Sequence, residues 1–154
     1  MVEYCSNEKL LSIHSYETEE EVIPILSLQS YVEESMKLLV YSNRIKLFKE
    51  DWPIYTTTHN TPPAQYGPEA EVKNSFVGNG SRIKGTVINS VISRDVIIEE
   101  GAVVKNCILF SGTKVGKNSK LEYVVADKNV KIKEVKEVDG DKDLYTYISF
   151  WAYI

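Results

Sequence analysis

The sequence predicts a mainly β protein: a left-handed parallel β-helix of hexapeptide repeats preceded by a small αβ segment. Four segments of the second half align with one another and end at Val77, Ile92, Leu109 and Ala126, in steps of 15, 17 and 17 residues. Inside these units an aliphatic or small residue recurs every six positions. A period of six fits neither an α-helix nor simple strand alternation. Glycine and asparagine cluster where such a repeat needs tight corners.

A repeat of 17 residues corresponds to one coil of three short strands, with steps of six, six and five residues. The recurring aliphatic residue points inward and stacks about 4.8 Å from its counterpart in the next coil. An ordinary sandwich of short strands is the alternative, and it predicts alternation with turns every 8–12 residues instead. The predicted inward residues are Val77, Ile83, Ile92, Ile98, Val104, Leu109, Val115, Leu121 and Ile132.

The first 60 residues predict the αβ segment. Leu10–Tyr16 has the pattern of a strand, and the acidic run Glu17–Glu21 is typical of a solvated turn. Ser27 is a good N-cap residue, and apolar residues after it fall on one helical face, which predicts a helix over 28–40. The double proline at 62–63 favours extended backbone and marks the boundary with the β-helix.

We therefore divide the chain into an αβ segment with connector (1–60), the β-helix (61–138) and an aromatic C-terminal strand (139–154). Asp139-Gly140 is a turn signal between Lys131–Val138 and Leu144–Ile154, which predicts a terminal hairpin. An open coil end is an exposed sheet edge. The aromatic strand would cap that end or pair with another chain.

Composition narrows the class of protein. The formal net charge is −4, which argues against nucleic acid as a partner, although residues 70–133 alone carry 11 Lys/Arg and 6 Asp/Glu, a net of +5. No apolar run is long enough to span a membrane, and the N-terminus lacks the pattern of a signal peptide. We therefore expect a cytoplasmic protein with no membrane partner, in which Cys5 and Cys107 are reduced thiols.

Basic residues supply the candidate site. Arg82, Lys114 and Lys131 share one repeat position, which Ile97 interrupts, and a second shared position holds the candidates Arg94 and Lys128. Stacking would place each set in a column on the outer face, where it could bind a phosphate. The alternative is that these cations keep flat strands soluble and blunt edge pairing.

Other chemistry has weaker support. Many hexapeptide β-helix proteins are acyltransferases that need a coil-borne histidine as general base. Both histidines of this chain, His14 and His59, precede the first coil. Cys107 stands where neighbouring repeats have serine (Ser75, Ser90), which predicts a small, partly buried corner residue and not a nucleophile. We expect no catalytic residue and no metal ligand in this chain.

Specific segments resemble a known family. Trp-Pro-Ile-Tyr-Thr (52–56), Pro-Pro-Ala (62–64), Lys-Asn-Ser (73–75) and Gly-Ala-Val-Val-Lys-Asn (101–106) occur in the same order in the C-terminal part of bacterial glucose-1-phosphate adenylyltransferase (ADP-glucose pyrophosphorylase). Residues 30–39 resemble the family's Ser-Tyr-x-x-Ala-Asn-Met-x-Leu-Leu helix. The family's catalytic subunits carry Trp-Arg-Asp-Val-Gly-Thr where this chain reads Val22-Ile23-Pro24-Ile25-Leu26-Ser27. The sequence is thus more similar to the regulatory type of subunit.

The resemblance implies a role as a non-catalytic regulatory and assembly domain in the synthesis of ADP-glucose for glycogen. It implies partners among other subunits of the same enzyme, in a homo- or hetero-oligomer, and a sugar-phosphate effector. The parent reaction joins ATP and glucose 1-phosphate with magnesium. The resemblance implies no cofactor in this chain itself. A small hexapeptide-repeat acyltransferase and a purely structural oligomerisation module remain the alternatives.

Overall fold

The computed structural model describes residues 14–15, 17, 22–51, 53–55, 57, 59–133 and 136–154. In this part of the chain two short helices precede fifteen strands of two or three residues each. The helices are α1 (Leu28–Lys37) and α2 (Tyr41–Leu47). The strands are β1 (Gln65–Tyr66), β2 (Glu71–Lys73), β3 (Phe76–Val77), β4 (Arg82–Ile83), β5 (Thr86–Ile88), β6 (Val91–Ile92), β7 (Ile97–Ile98), β8 (Val103–Lys105), β9 (Ile108–Leu109), β10 (Lys114–Val115), β11 (Lys120–Glu122), β12 (Val124–Ala126), β13 (Lys131–Ile132), β14 (Glu137–Asp139) and β15 (Thr146–Ile148).

The strands form three parallel sheets, each five strands deep, and these wrap into a left-handed β-helix. Sheet A contains β1, β4, β7, β10 and β13, sheet B contains β2, β5, β8, β11 and β14, and sheet C contains β3, β6, β9, β12 and β15. Each strand pairs in parallel with the strand one coil later. The predicted fold class is confirmed.

The interior is a stack of aliphatic layers. Ile83, Ile98 and Val115 are fully buried and lie in register on consecutive strands of sheet A. Of the nine predicted inward residues, eight are buried, and Val77 in the first coil is half-buried. Burial of one such side chain stabilises the fold by about 1.5–3 kcal/mol. The stacked layers are therefore what holds each coil to the next.

In every coil except the last, a five-residue step lies at the corner between sheets B and C. There the chain turns through one residue with left-handed backbone, such as Asn89 (φ 47°) and Asn106 (φ 52°). Asparagine tolerates this conformation because its short side chain can form local hydrogen bonds. Asn74 Nδ2 donates to Asn89 Oδ1 at 2.9 Å, so stacked corners also bond to each other.

The single 15-residue step has a local cause at the corner between sheets A and B. Ile83 and Thr86 are three positions apart, whereas the equivalent Ile98 and Val103 are five apart. Gly85 occupies this shortened corner, and a Cβ atom there would lie 2.3 Å from the carbonyl oxygen of Ala102. The missing residues thus bring two backbones so close that glycine is required.

Helix α1 packs on the outer face of sheet C. Ser27 and Ser30 form a capping box, because the Ser27 hydroxyl accepts the Ser30 N–H at 3.0 Å and the Ser30 hydroxyl accepts the Ser27 N–H at 2.9 Å. Val32 is 2% exposed and packs with Ile108 and Val125 of sheet C. The predicted N-cap is confirmed, and the helix lies against the β-helix.

The predicted helix over 28–40 was too long. Helix α1 ends at Lys37, and α2, which the sequence pattern did not predict, begins at Tyr41. Val40 between them has extended backbone (φ −81°, ψ 122°). The Asn43 side chain donates to the Lys37 carbonyl at 3.1 Å, so it gives a hydrogen-bond donor to one of the backbone carbonyls at the C-terminal end of α1. The strand predicted over Leu10–Tyr16 and the turn predicted over Glu17–Glu21 lie outside the described residues, apart from 14–15 and 17.

The predicted terminal hairpin is wrong. Strands β14 and β15 lie in different sheets, where they pair in parallel with β11 and β12. The free edges of sheets B and C bind these strands in preference to a local hairpin, because each strand then extends an existing parallel sheet. The last B-to-C corner is five residues longer than the others and closes with a turn in which the Asp141 N–H donates to the Leu144 carbonyl at 3.0 Å. The division of the chain at residues 60 and 138 stays a prediction.

Candidate anion-binding surface

Sheet A carries the first basic column on its outer face. Arg82, Ile97, Lys114 and Lys131 are partners in register on consecutive strands. The predicted column and its interruption by Ile97 are therefore confirmed. Adjacent strands place the Lys114 and Lys131 backbones about 4.8 Å apart, and Arg82 is separated from them by one apolar layer.

The second basic column lies at the corner that leads into sheet A. The Gly112 N–H donates to the Arg94 carbonyl at 3.2 Å, and the Asn129 N–H donates to the Ser111 carbonyl at 3.0 Å. Arg94, Ser111 and Lys128 thus occupy equivalent places in three consecutive coils. The structure brings Arg94 and Lys128 into one column as predicted, but Ser111 separates them.

None of the five candidate cations is buried. Arg82, Lys114 and Lys128 are exposed, whereas Arg94 and Lys131 are half-buried. None of the five forms an ion pair with another described residue. Other cations of the β-helix are paired, as Lys84 with Glu99 at 3.0 Å and Lys117 with Glu100 at 2.9 Å. The candidate cations therefore keep their charge available to an anion.

Both columns end in aromatic side chains at the last coil. The Trp151 N–H donates to the Lys128 carbonyl at 3.3 Å, which places Phe150 next along the second column. Tyr153 forms a parallel bridge with Lys131 and so continues the first column. The Lys133 ammonium lies 5.5 Å from the centroid of the Tyr153 ring. The sequence indicated an aromatic tail but not its place in these columns, because the long last corner breaks the 17-residue repeat that would have aligned it.

Cys107 belongs to the interior and not to this surface. Its side chain is fully buried, deeper than predicted, and its Sγ donates to the Lys105 carbonyl at 2.9 Å. Burial raises the pKa of the Cys107 thiol to about 12. The thiol is therefore protonated at neutral pH, and the absence of a nucleophilic role stays a prediction. In the preceding coil Ser90 makes the same kind of bond, to the Ile88 carbonyl at 2.7 Å, and accepts the Cys107 N–H at 3.1 Å.

The two histidines lie outside the coils. His14 and His59 are exposed and precede β1, as the sequence indicated. Among the described residues no group of three or more His, Cys, Asp or Glu side chains is arranged to hold a metal ion. In the same residues no helix has the length and apolar character needed to cross a bilayer.

An apolar cavity of about 220 Å³ lies where α1 meets sheet C. Tyr31 and Phe110 stack in it with centroids 5.9 Å apart and an angle of 17° between the rings. At its edge the Tyr147 hydroxyl donates to the Asp127 carboxylate at 2.7 Å. This hydrogen bond lowers the pKa of Asp127 and raises the pKa of Tyr147. The bond fixes the last coil to the one before it.

The repeat, the three parallel sheets and the stacked corners together define a class of protein, the hexapeptide-repeat β-helices. A family model described as "GlmU-like, C-terminal hexapeptide" matches residues 62–147, which is more than half of the chain. The chain belongs to this family.

Individual proteins that are similar to this chain share one name, glucose-1-phosphate adenylyltransferase. Glucose-1-phosphate adenylyltransferase of Corynebacterium jeikeium (strain K411) is 34% identical over 121 residues, covering 76% of this chain and 30% of the relative. The enzyme of the same name from Deinococcus deserti is 30% identical, covering 76% of this chain and 30% of the relative. The one from Bacillus anthracis is also 30% identical, covering 77% of this chain and 31% of the relative. The chain thus spans less than a third of the length of these relatives, in their C-terminal part. The resemblance to the C-terminal region of glucose-1-phosphate adenylyltransferase is confirmed.

Proposed function

We propose that this chain is a non-catalytic regulatory and assembly domain of a glucose-1-phosphate adenylyltransferase subunit, which acts in the synthesis of ADP-glucose for glycogen in the cytoplasm. Its similarity to the C-terminal part of proteins with this name supports the family role. The ATP, glucose 1-phosphate and magnesium of the parent reaction would bind to the N-terminal portion of such enzymes, with which this chain does not align.

The observation that carries the proposal is the number of exposed apolar side chains among the residues before the β-helix, which together we propose as an apolar surface. Val22 is 77% exposed and Leu26 is 88% exposed, and both come just before α1. Helix α2 buries none of its residues and exposes Tyr41 and Ile45. Exposed apolar side chains in such number are typical of an interaction surface. Since they lie at the side of the chain where the relatives have their additional residues, we assign this surface to contact with a nucleotidyltransferase domain.

The regulatory part of the proposal rests on the basic columns. Arg82, Arg94, Lys114, Lys128 and Lys131 would attract the phosphate of a sugar-phosphate effector, because lysine and arginine donate charge-assisted hydrogen bonds to phosphate oxygens. The partners we propose are other subunits of the same enzyme, in a homo- or hetero-oligomer.

Two measurements on the purified chain test this proposal. With ATP, magnesium and glucose 1-phosphate the chain alone should release no pyrophosphate above a blank. Mixed with a full-length glucose-1-phosphate adenylyltransferase, it should form a complex that size-exclusion chromatography with light scattering detects. Pyrophosphate release by the chain itself would contradict the non-catalytic role.

Two matched variants test whether the apolar surface makes the contact with the full-length enzyme. Leu26→Asp places a charge on the apolar surface and should weaken the complex. Leu144→Asp changes an equally apolar side chain, 77% exposed, in the last coil and should leave the complex unchanged. Both positions are open to solvent, so neither variant should lower the unfolding midpoint by much. Equal binding by both variants would refute the assigned surface.

A further inference from the structure

The cavity between α1 and sheet C combines aromatic and aliphatic walls with a single carboxylate. It has a volume of about 220 Å³ and is lined by Leu28, Tyr31, Phe110, Val125, Asp127 and Tyr147. Leu28 is 39% exposed and Tyr147 is 52% exposed, so these two side chains lie where the cavity opens to solvent. One water molecule takes about 30 Å³ of the liquid, so a group of several non-hydrogen atoms fits in this space.

The β-helix places an aromatic ring and the carboxylate side by side in this cavity. Phe110 and Asp127 each follow the last residue of a sheet C strand, and those strands pair in register, so the two residues hold equivalent places in neighbouring coils. Their backbones are therefore about 4.8 Å apart. In the other described coils this place is held by small residues, namely Gly78, Ser93 and Ser149. The large ring and the charge thus occur in the two coils on which α1 packs.

The Asp127 carboxylate is a fixed negative charge at the wall of the cavity. It accepts the Tyr147 hydroxyl at 2.7 Å and the backbone N–H of Lys128 at 2.7 Å. These two hydrogen bonds lower the pKa of Asp127, so the carboxylate is ionised at neutral pH. Asp127 forms no ion pair with a described residue. Its charge is therefore available to a cation that enters the cavity.

The lining side chains favour a cation that carries no N–H group. Apart from Asp127, their only hydrogen-bond acceptors are the two tyrosine hydroxyls. A primary ammonium has three N–H donors, and a donor left without a partner in an apolar site costs free energy. A quaternary ammonium has none. Its methyl groups pack on aliphatic and aromatic side chains, and the faces of aromatic rings attract its charge.

We propose that this cavity binds a quaternary ammonium group, with its methyl groups against Tyr31, Phe110 and Val125 and its charge facing Asp127. The carboxylate repels an anionic ligand, and a neutral ligand gains nothing from it. A divalent metal ion needs several oxygen ligands, and the described residues contain no suitable group. The inference goes beyond the proposed function, because none of these residues belongs to either basic column.

Titration of the isotopically labelled chain with choline, followed by NMR, tests the proposal against two analogues. The alcohol 3,3-dimethylbutanol has the shape of choline without the charge, whereas ethanolamine has the charge without the methyl groups. Choline should bind at least about tenfold more tightly than either analogue and should shift the backbone signals of Phe110 and Val125. Equal binding of the alcohol would show a merely apolar cavity, and equal binding of ethanolamine would show an unselective attraction of cations. Either result, or no binding of choline, would overturn the proposal.

Asp127→Asn is the decisive variant. Asparagine has nearly the same shape and can still accept the Tyr147 hydroxyl, so the unfolding midpoint should fall only slightly while choline affinity falls at least about tenfold. Asp139→Asn removes an exposed carboxylate on sheet B and should leave choline affinity unchanged. Phe110→Leu removes an aromatic face but keeps an apolar side chain. It should weaken choline at least about threefold and change the binding of 3,3-dimethylbutanol by less than about twofold. Unchanged choline affinity in Asp127→Asn would refute the site.

The ammonium site and the proposed function can fail separately. Choline binding is measured on the isolated chain, so it does not depend on the complex with a full-length glucose-1-phosphate adenylyltransferase. If that complex forms but choline does not bind, the ammonium site alone is refuted. If choline binds as expected but the complex does not form, the proposed function alone is contradicted.

Discussion

Replacement of Ile98 by alanine should be among the most destabilising single changes in the β-helix. The Ile98 side chain is fully buried and lies between Ile83 and Val115, in the central strand of sheet A. Ile98→Ala removes three carbon atoms, which at about 0.8 kcal/mol per buried CH₂ corresponds to about 2.4 kcal/mol of transfer free energy. The cavity left between two layers raises the total to about 3–4 kcal/mol. That loss is a large part of the roughly 5–15 kcal/mol that holds a typical domain together.

Urea unfolding followed by far-UV circular dichroism measures this effect, and Ile97 provides the control. Ile97 belongs to the same strand but faces outward and is half-buried. Ile97→Ala should cost less than about 1 kcal/mol. Ile98→Asp should abolish cooperative folding, because it buries an unpaired charge between apolar layers. Equal midpoints for Ile97→Ala and Ile98→Ala, or a cooperative transition of Ile98→Asp near the wild-type midpoint, would refute the inward stack.

Further predictions concern the corners and the buried thiol. Gly112→Ala should cost about 1–3 kcal/mol, because its φ is +76° and the new Cβ would lie 2.3 Å from Asn129 Oδ1; Asn129→Gly in the same chain should recover part of the loss in thermal melts. Ser90→Ala should cost about 1–3 kcal/mol in urea unfolding, since the buried Cys107 N–H loses its acceptor, whereas Ser90→Cys should cost less. The folded state raises the pKa of the Cys107 thiol from 9.0 to about 12, so the associated stability is full below pH 9.0 and is lost as the pH rises towards about 12. Cys107→Ser should therefore reduce the alkaline loss of stability, and an identical pH profile would contradict the burial of an ionisable thiol.

The repeat in the sequence predicted much of the fold, because every coil must bury the same kind of side chain at the same position. The inward position must be aliphatic in every layer, so Ile83, Ile98 and Val115 reveal the period without any structure. The same count places Arg82 and Lys114 in one column. Periodicity thus predicted both the core and the backbone positions of the basic residues.

The sequence did not predict helix α2 or the course of the tail, because these features depend on contacts outside the repeat. Helix α2 buries none of its residues and follows an extended residue, Val40, so no apolar pattern marks it in the sequence. The tail was taken for a hairpin because Asp139-Gly140 is a strong local turn signal, yet the stacked edges of β11 and β12 outweigh it. The longer last corner also concealed that Phe150 continues the second basic column. Strand pairing between coils, and not local turn propensity, therefore determined the structure of the tail.

The pairing of each strand with the strand one coil later also governs how the chain folds. Strand partners are 15–17 residues apart through the first four coils and 22 apart at most in sheet C. This separation is roughly a tenth of the chain length, a relative contact order more typical of helical proteins than of β-sandwiches. Each coil can therefore pack on the preceding coil without a partner strand that is distant in the sequence. We therefore expect the β-helix to grow layer by layer and to fold faster than β-rich proteins of similar size.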